Sequence, residues 1–168
     1  MWNRSAVVVL FLSFVGGLVG PVARAHAQQR AMKLTADDYI EIQQLYARYN
    51  HAIDSGDAEG YANLFVPDGS FNNNIGHDAL IAFIKNRNGA NMRHWNTNLV
   101  ITPSPEGANG SVYLMFLNVG VNPPVVTGAG KYEDTLVKTA QGWRFKKRTN
   151  RREGPPAAGP APAERPQP

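Results

Sequence analysis

The spacing of apolar residues changes near Met92, and this change limits the chain to folds that place helices before a sheet. Between residues 34 and 89, apolar residues recur at intervals of three and four, as in helices that bury one face. From residue 92 onward they alternate with polar residues, as in strands. Helices followed by long antiparallel strands predict an α+β domain whose helices pack on one face of a sheet.

Capping and breaking residues divide the first half into three helices. The first opens at Thr35, a favoured N-cap, and has acidic residues in its first turn. A short strand is predicted at Ser70–Asn74, and Pro67-Asp68-Gly69 is predicted to be a turn. The predicted helices run from Thr35 to Asp54, from Asp57 to Phe65 and from His77 to Asn88.

The second half has the pattern of an antiparallel meander of four strands. The first of these strands begins near Met92, and its alternation places His94, Asn96 and Asn98 on one face. Residues 103–110 are predicted to form a loop, in which Asn109-Gly110 is a hairpin signal. The remaining strands are predicted at Ser111–Val119, Val125–Thr139 and Gly142–Arg152.

Residues 1–27 have the order of a cleaved export signal: Arg4, an apolar stretch from Ala6 to Gly20, and then Pro21. Ala25-His26-Ala27 supplies the small residues that a signal peptidase reads, so cleavage is expected after Ala27. The alternative is an uncleaved membrane anchor, but the apolar stretch is shorter than the ~20 residues that a spanning helix needs. We therefore expect an exported protein, periplasmic or secreted, without stable membrane insertion after cleavage.

Residues 153–168 are rich in proline and alanine and contain no large apolar side chain. Such a segment cannot offset the entropy cost of folding, so a disordered, polyproline-like tail is predicted. Its role is either that of a solvated terminus or that of a spacer or docking strip for the cell envelope.

The chain contains no cysteine, which excludes disulfides and thiolate metal sites. Without the signal, about 140 residues remain, which is one domain by length, and core burial must stabilise it. The formal net charge is +4, and much of the basicity lies between Arg144 and Arg152. Along a strand these charges alternate between faces, so no nucleic-acid partner is expected.

Several short motifs follow one another between residues 34 and 152. They are Tyr46-Ala-Arg-Tyr49-Asn-His-Ala-Ile-Asp54-Ser-Gly-Asp57, Leu64-Phe65-Val-Pro-Asp68-Gly-Ser-Phe71, Gly76, Arg93-His94 with Asn98, Gly130-Lys-Tyr132-Glu-Asp134, and Gly142-Trp143-Arg-Phe145 up to Arg148. In this order and spacing the chain resembles SnoaL-like proteins. These belong to the superfamily of nuclear transport factor 2, scytalone dehydratase and ketosteroid isomerase.

The resemblance implies a cone-shaped α+β fold. N-terminal helices would pack on a strongly curved, mostly antiparallel sheet that encloses an apolar pocket. It also implies dimerisation through the outer face of the sheet. The run Val112–Leu117 is apolar on both faces, as a strand between a pocket and a partner can be, so a homodimer is expected.

Asp54 and His94 are the candidate catalytic residues, because relatives similar to scytalone dehydratase keep a cooperating aspartate and histidine at the matching positions. A carboxylate that orients an imidazole makes a general acid/base for proton transfer at carbon or to a leaving hydroxyl group. Structural roles are the alternative. Asp54 would then cap the next helix or bond to the backbone of Ser55–Asp57, and His94 would bond to Asn98 or a tyrosine.

Departures from the relatives leave the reaction type open. The strand Ser111–Val119 carries Tyr113, Met115 and Asn118 where a second histidine of the dehydratases would be expected. The acid groups of the isomerases and the Asp-Arg-Asp arrangement of limonene epoxide hydrolases are not matched either. Dehydration and isomerisation therefore both remain as hypotheses.

Aromatic side chains are numerous for so small a domain, and most must form the core. A subset that faces the pocket would favour a flat, apolar or aromatic ligand. Tyr132 and Asp134 share one face of a strand, either toward the pocket or in a structural hydrogen bond, and Arg148 matches a position that often points inward in the relatives. The expected ligand-binding residues are Tyr46, Tyr49, Phe65, Phe71, Asn98, Tyr113 and Tyr132.

The histidines lack the spacing of metal ligands, so no metal is expected. Nucleotides and reduced cofactors are not readily available outside the cytoplasm, so no cofactor is expected either. The leading hypothesis is an exported pocket protein for an apolar small molecule, acting as a lyase or isomerase. The alternatives are a non-catalytic envelope module of the same fold and an assembly subunit that contributes only its outer sheet.

Overall fold

The computed structural model describes residues 33–154. The predicted signal and residues 155–168 of the predicted tail lie outside this range. Among the described residues, no helix is both long and apolar enough to cross a membrane. The elements are α1 (Ala36–Ser55), α2 (Ala58–Ala62), α3 (His77–Lys85), β1 (Phe65–Phe71), β2 (Asn74–Ile75), β3 (Met92–Ser104), β4 (Gly107–Asn118), β5 (Val125–Thr139) and β6 (Gly142–Glu153).

The six strands form one sheet in the order β2-β1-β6-β5-β4-β3. β1 runs parallel to β6, and every other neighbouring pair is antiparallel. The sheet is curled but not closed, and one hydrophobic cluster joins the helices to it. The predicted α+β class is thus confirmed.

Helix α1 begins with a capping box. The Thr35 hydroxyl accepts the Asp38 N–H at 3.2 Å, and the Asp38 carboxylate accepts the Thr35 N–H at 2.9 Å. The same carboxylate accepts hydrogen bonds from Lys138 Nζ at 2.7 Å and Trp143 Nε1 at 2.9 Å. The first turn of α1 is therefore tied to the hairpin between β5 and β6.

Two helices end earlier than predicted, and the segment between them is more extended. α2 ends at Ala62 rather than Phe65, and α3 ends at Lys85 rather than Asn88. Pro67-Asp68-Gly69 remains in β1, where the register with β6 shifts between Phe65 and Ser70. Because proline has no N–H to donate to a neighbouring strand, an irregular stretch of this kind accommodates it.

The hairpin between β3 and β4 is tighter than predicted. Only Pro105 and Glu106 separate the two strands, so the predicted loop at residues 103–110 is wrong. Asn109-Gly110 is part of β4 and not a turn. Glycine is required at position 110 for close packing, because a Cβ atom there would overlap the hydroxyl oxygen of Tyr46.

A bulge in β3 breaks the predicted alternation. The register with β4 shifts between Thr97 and Val100, and Asn98 adopts a left-handed φ of 57°. Asparagine tolerates this conformation better than most residues. Asn98 was predicted to share the face of His94 and Asn96, but the bulge places Leu99 on that face, where it is partly buried. Asn98 itself is exposed.

A second bulge, in β6, decides the position of an arginine. The register with β5 shifts so that Lys146 has no partner residue. Strict alternation from Phe145 would turn Lys147 inward and Arg148 outward. Because of the shift, Arg148 lies opposite Asp134, and both side chains are fully buried.

Candidate functional site

A cleft of about 480 Å³ lies between the C-terminal half of α1 and the start of β3. Both candidate catalytic residues line it. The other residues that line this cleft, named the histidine cleft below, are Ala47, Asn50, His51, Ser55, Arg93 and Trp95.

Asp54 makes two contacts with His94. Its Oδ1 atom lies 2.5 Å from the ring nitrogen Nδ1, and its Oδ2 atom accepts the backbone N–H of His94 at 3.1 Å. The imidazole is 3% exposed and the carboxylate 14% exposed. The ring of Phe116 packs edge-on against the imidazole, with 5.1 Å between centroids. The structure therefore brings the predicted pair together in a partly dry environment.

The local backbone explains why Asp54 faces the sheet and not the following turn. Asp57, not Asp54, caps α2, because its carboxylate accepts the Gly60 N–H at 2.9 Å. At the end of α1, Arg87 donates to the Ile53 carbonyl oxygen at 2.6 Å and so satisfies a carbonyl group that the helix leaves free. Asp54 is thus available to His94.

The geometry determines which nitrogen of His94 is able to take up a proton. With the Asp54 carboxylate as acceptor, the imidazole proton lies on Nδ1, and Nε2 carries the lone pair. Nε2 has no hydrogen-bond partner within residues 33–154. This arrangement is one in which Nε2 of a neutral imidazole is able to accept a proton, with the carboxylate beside the imidazolium that results.

A second cleft of about 320 Å³, named the amide cleft below, adjoins the histidine cleft. The two share Ala47 and Asn50. Tyr46 and Asn98, two of the predicted ligand-binding residues, line the amide cleft. Its remaining lining residues are Gln43, Asn96, Thr97, Leu99 and Val112.

The other five predicted ligand-binding residues do not line either of these clefts. Tyr49, Phe65, Phe71 and Tyr132 are at most 5% exposed, and their rings pack against one another. Aromatic side chains on the inner face of the curled sheet gain most by close packing, and here they fill its interior. Tyr113 lies on the opposite face of β4 from Val112 and is 48% exposed.

A buried ion pair lies at the centre of this aromatic core. Arg148 donates through Nε and Nη2 to the two carboxylate oxygens of Asp134, each at 2.8 Å. The Tyr46 hydroxyl group also donates to Asp134. The guanidinium carbon lies 4.1 to 4.6 Å from the centres of four rings, those of Tyr46, Tyr49, Tyr132 and Phe145.

Burial and charge hold the pKa values of Tyr46 and Arg148 above their ordinary values. Burial raises the pKa of Tyr46, and the negative charge of Asp134 raises it further. Burial alone would lower the pKa of Arg148, but the charge and the hydrogen bonds of Asp134 hold it well above its ordinary value. The sequence placed Tyr132 and Asp134 on one face of a strand and noted Arg148 apart from them, but it did not reveal the ion pair, because the pairing of Asp134 with Arg148 depends on the bulge in β6.

Within residues 33–154 no three histidine, aspartate or glutamate side chains are grouped so as to hold a metal ion. The absence of a metal or cofactor in the working protein stays a prediction.

Comparison with known proteins identifies relatives of this fold. A model of the SnoaL-like domain family matches residues 34–149. A Catenulispora acidiphila protein is 30% identical, with a TM-score of 0.62 and coverage of 70% of this chain and 92% of that chain. A Nostoc punctiforme protein of unknown function with a cystatin-like fold is 25% identical, with a TM-score of 0.67 and coverage of 73% and 96%. A Novosphingobium aromaticivorans NTF2-like protein is 24% identical, with a TM-score of 0.63 and coverage of 77% and 85%. No curated protein matches the chain.

Proposed function

The chain belongs to the SnoaL-like family of pocket proteins, and on this premise we propose that it is an exported, cofactor-independent acid/base enzyme for an apolar or aromatic small molecule. In this proposal His94 is the catalytic acid/base and Asp54 its positioning residue. The observation that carries it is the double contact of Asp54 with His94 at the wall of the histidine cleft.

The proposed chemistry is proton transfer at carbon. Nε2 of His94 removes a proton from a carbon that a neighbouring carbonyl group of the ligand acidifies. If the imidazolium returns the proton to another carbon, the double bond moves and the ligand is isomerised. If it protonates an adjacent hydroxyl group while the C–O bond breaks, water leaves and a new double bond forms. His94 is neutral again after either reaction, so no electron acceptor is required.

Burial of the imidazole favours this chemistry. Because His94 is almost fully buried, the attraction between its protonated ring and the Asp54 carboxylate is stronger than it would be in water. Phe116 keeps the ring in place from the side of the sheet. A ligand that covers the histidine cleft would exclude the remaining water.

A homodimer is the second part of the proposal. Trp95 of β3 pairs directly with Met115 of β4, and Tyr113 lies two positions before Met115 on the same face. Their exposed fractions are 57%, 37% and 48%. A group of large apolar side chains on one sheet face is more typical of an interface than of a solvated surface. Trp95 also lines the histidine cleft, so a partner on this face would lie close to the cleft entrance.

A non-catalytic binding module of the cell envelope is the second candidate function. The filled interior of the sheet favours it, because a ligand would then bind in a surface cleft, such as those between α1 and β3, and not inside the sheet. In that case the contact of Asp54 with His94 is structural.

Turnover of the natural ligand separates the two candidates. The ligand that copurifies with protein made in its native compartment would be identified by mass spectrometry and then used as substrate. His94→Gln should lose activity by about 100-fold or more. His77→Gln is the matched control, because His77 lies at the start of α3 and bonds to the Phe65 carbonyl group. Unchanged turnover in His94→Gln would refute His94 as the catalytic acid/base, and a bound compound that the wild-type protein never converts would favour the binding module.

Export is tested separately by N-terminal sequencing of the mature protein. The proposal expects a chain that begins at Gln28. Recovery of the protein with Met1 intact from the membrane fraction would show that the signal is retained as an anchor.

A further inference from the structure

We propose that Asn50 and Asn96 together form a recognition site for a hydroxyl group, and that the ligand is therefore a neutral ring compound carrying a hydroxyl. This inference rests on the proposed function, because it places the same ligand beside His94. The site lies where the histidine cleft meets the amide cleft.

The two side-chain amides satisfy each other only in part. Asn96 Nδ2 donates to Asn50 Oδ1 at 3.3 Å. Asn96 Oδ1 is buried and has no hydrogen-bond partner. The Nδ2 group of Asn50 has no acceptor within residues 33–154. One acceptor and one donor of the amide pair are thus left over.

One donor and one acceptor stay unpaired whichever way the two side-chain amides are oriented. If both amides are reversed, the bond between them is kept, and again one donor and one acceptor remain. A hydroxyl group donates one hydrogen bond and accepts others, so it is able to satisfy both residues at once. An ether satisfies only the donor, and a hydrocarbon satisfies neither.

The position of the pair relates the hydroxyl group to the proposed chemistry. Asn96 lies two residues after His94 on the same face of β3, or about 6.6 Å along the strand. Asn50 lies one helical turn before Asp54 on α1. Each asparagine is therefore a neighbour of one member of the Asp54–His94 pair. The separation is about the width of an aromatic ring, so a hydroxyl group at the amide pair would place the far side of that ring near Nε2.

The lining of the amide cleft selects against an ionised ligand. Its polar residues besides Tyr46 are Gln43, Asn50, Asn96, Thr97 and Asn98, and none of the residues that line it carries a charge. A charged group placed there would lose its hydration without gaining a counter-charge. Ala47, Leu99 and Val112 supply apolar surface for the ring.

Three simple compounds test the inference: 2-naphthol, 2-methoxynaphthalene and naphthalene. Their dissociation constants would be measured by calorimetry with the mature protein. We expect 2-naphthol to bind at least about tenfold more tightly than the other two. In Asn96→Leu this preference should fall below about twofold. Asn86→Leu is the matched control, because Asn86 is exposed at the end of α3, and it should keep the full preference.

The experiment separates this inference from the proposed catalysis. His94→Gln should retain the preference for 2-naphthol even though turnover is lost, because the imidazole ring bonds to Asp54 and not to the amide pair. Equal affinities for the three compounds, a preference that survives in Asn96→Leu, or no binding of any of them would overturn the inference.

A second measurement covers the case in which Asn96→Leu does not fold. In NMR spectra of the wild-type protein, the side-chain amide signals of Asn50 and Asn96 should shift on addition of 2-naphthol, and by much less with 2-methoxynaphthalene. Unchanged signals at saturating 2-naphthol would equally overturn the inference.

Discussion

Gly110 of β4 lies directly against the hydroxyl group of Tyr46, so closely that a Cβ atom at position 110 would overlap the hydroxyl oxygen. The missing side chain allows α1 to approach the sheet, and Tyr46 is then able to donate to Asp134. This hydrogen bond connects α1 to the buried Asp134–Arg148 pair. Further along α1, at one-turn intervals, Asn50 contacts Asn96 and Asp54 contacts His94.

Gly110→Ala should destabilise the protein by about 1–3 kcal/mol, because the added methyl group must displace Tyr46 from Asp134. The free energy of unfolding would be measured by urea denaturation. Gly128→Ala is the matched control, since the nearest atom is the flexible end of Arg152 at 3.3 Å. The control should change stability by less than about 0.5 kcal/mol. Equal losses of stability in both variants would show that the close packing of Gly110 against Tyr46 is not important.

Asp134→Leu should cost about 3–5 kcal/mol, because it leaves the charge of Arg148 buried without a partner. The double variant Asp134→Leu/Arg148→Met should be more stable than this single variant, since it removes both charges. Chemical denaturation of the single and double variants checks the prediction. If the double variant loses as much stability as the two single variants together, the two charges are not coupled.

Asp54→Asn should change the protonation of the His94 ring, because the carboxylate that holds the proton on Nδ1 is gone. Long-range proton–nitrogen NMR correlations should show the Nδ1–H form in the wild-type protein and a larger share of the Nε2–H form in the variant. Turnover of the copurified ligand should fall by about 10²- to 10⁴-fold. A wild-type ring protonated on Nε2 would contradict the proposed base.

Asp38 should make the protein less stable at acid pH. Hydrogen bonds from Lys138, Thr35 and Trp143 hold the pKa of Asp38 well below its ordinary value of 3.8. The folded state therefore takes up this proton less readily than the unfolded state. The stabilisation is fully present above about pH 3.8 and is lost as the pH falls toward the depressed folded value.

Asp38→Asn should accordingly cost about 1.5–3 kcal/mol at neutral pH. The difference in the free energy of unfolding between this variant and the wild-type protein should become smaller below pH 3.8. Denaturation at a series of pH values measures it. Asp37→Asn changes the neighbouring exposed carboxylate and should cost less than about 1 kcal/mol. A difference that stays constant into strong acid would argue against the Asp38 contacts.

Tyr113→Glu should dissociate the proposed homodimer, because it places a charge in the apolar group formed with Trp95 and Met115. Sedimentation at micromolar concentration should give a dimer for the wild-type protein and a monomer for the variant. Ile40→Glu is the control, since Ile40 is 57% exposed but lies on α1. A wild-type monomer at this concentration would contradict the proposal.

Periodicity and capping residues were sufficient to predict the α+β class. Thr35 caps α1 as expected, and the strands beginning at Met92, Val125 and Gly142 are observed. Local signals failed where a tertiary contact was stronger. Asn109-Gly110 is a turn sequence in isolation, but in the folded protein both residues pair with β3 and β5, and Gly110 leaves room for Tyr46.

The sequence by itself determined the order of helices and strands, the family resemblance, and Asp54 and His94 as a candidate pair, because these depend on local spacing and on motifs. Only the tertiary structure decided which side chains meet. The bulges at Asn98 and Lys146 each reverse the faces of the residues that follow. The register of a strand depends on its partner strand and on the core, so Arg148 enters the interior and Asn98 turns away from it for reasons that no local pattern contains.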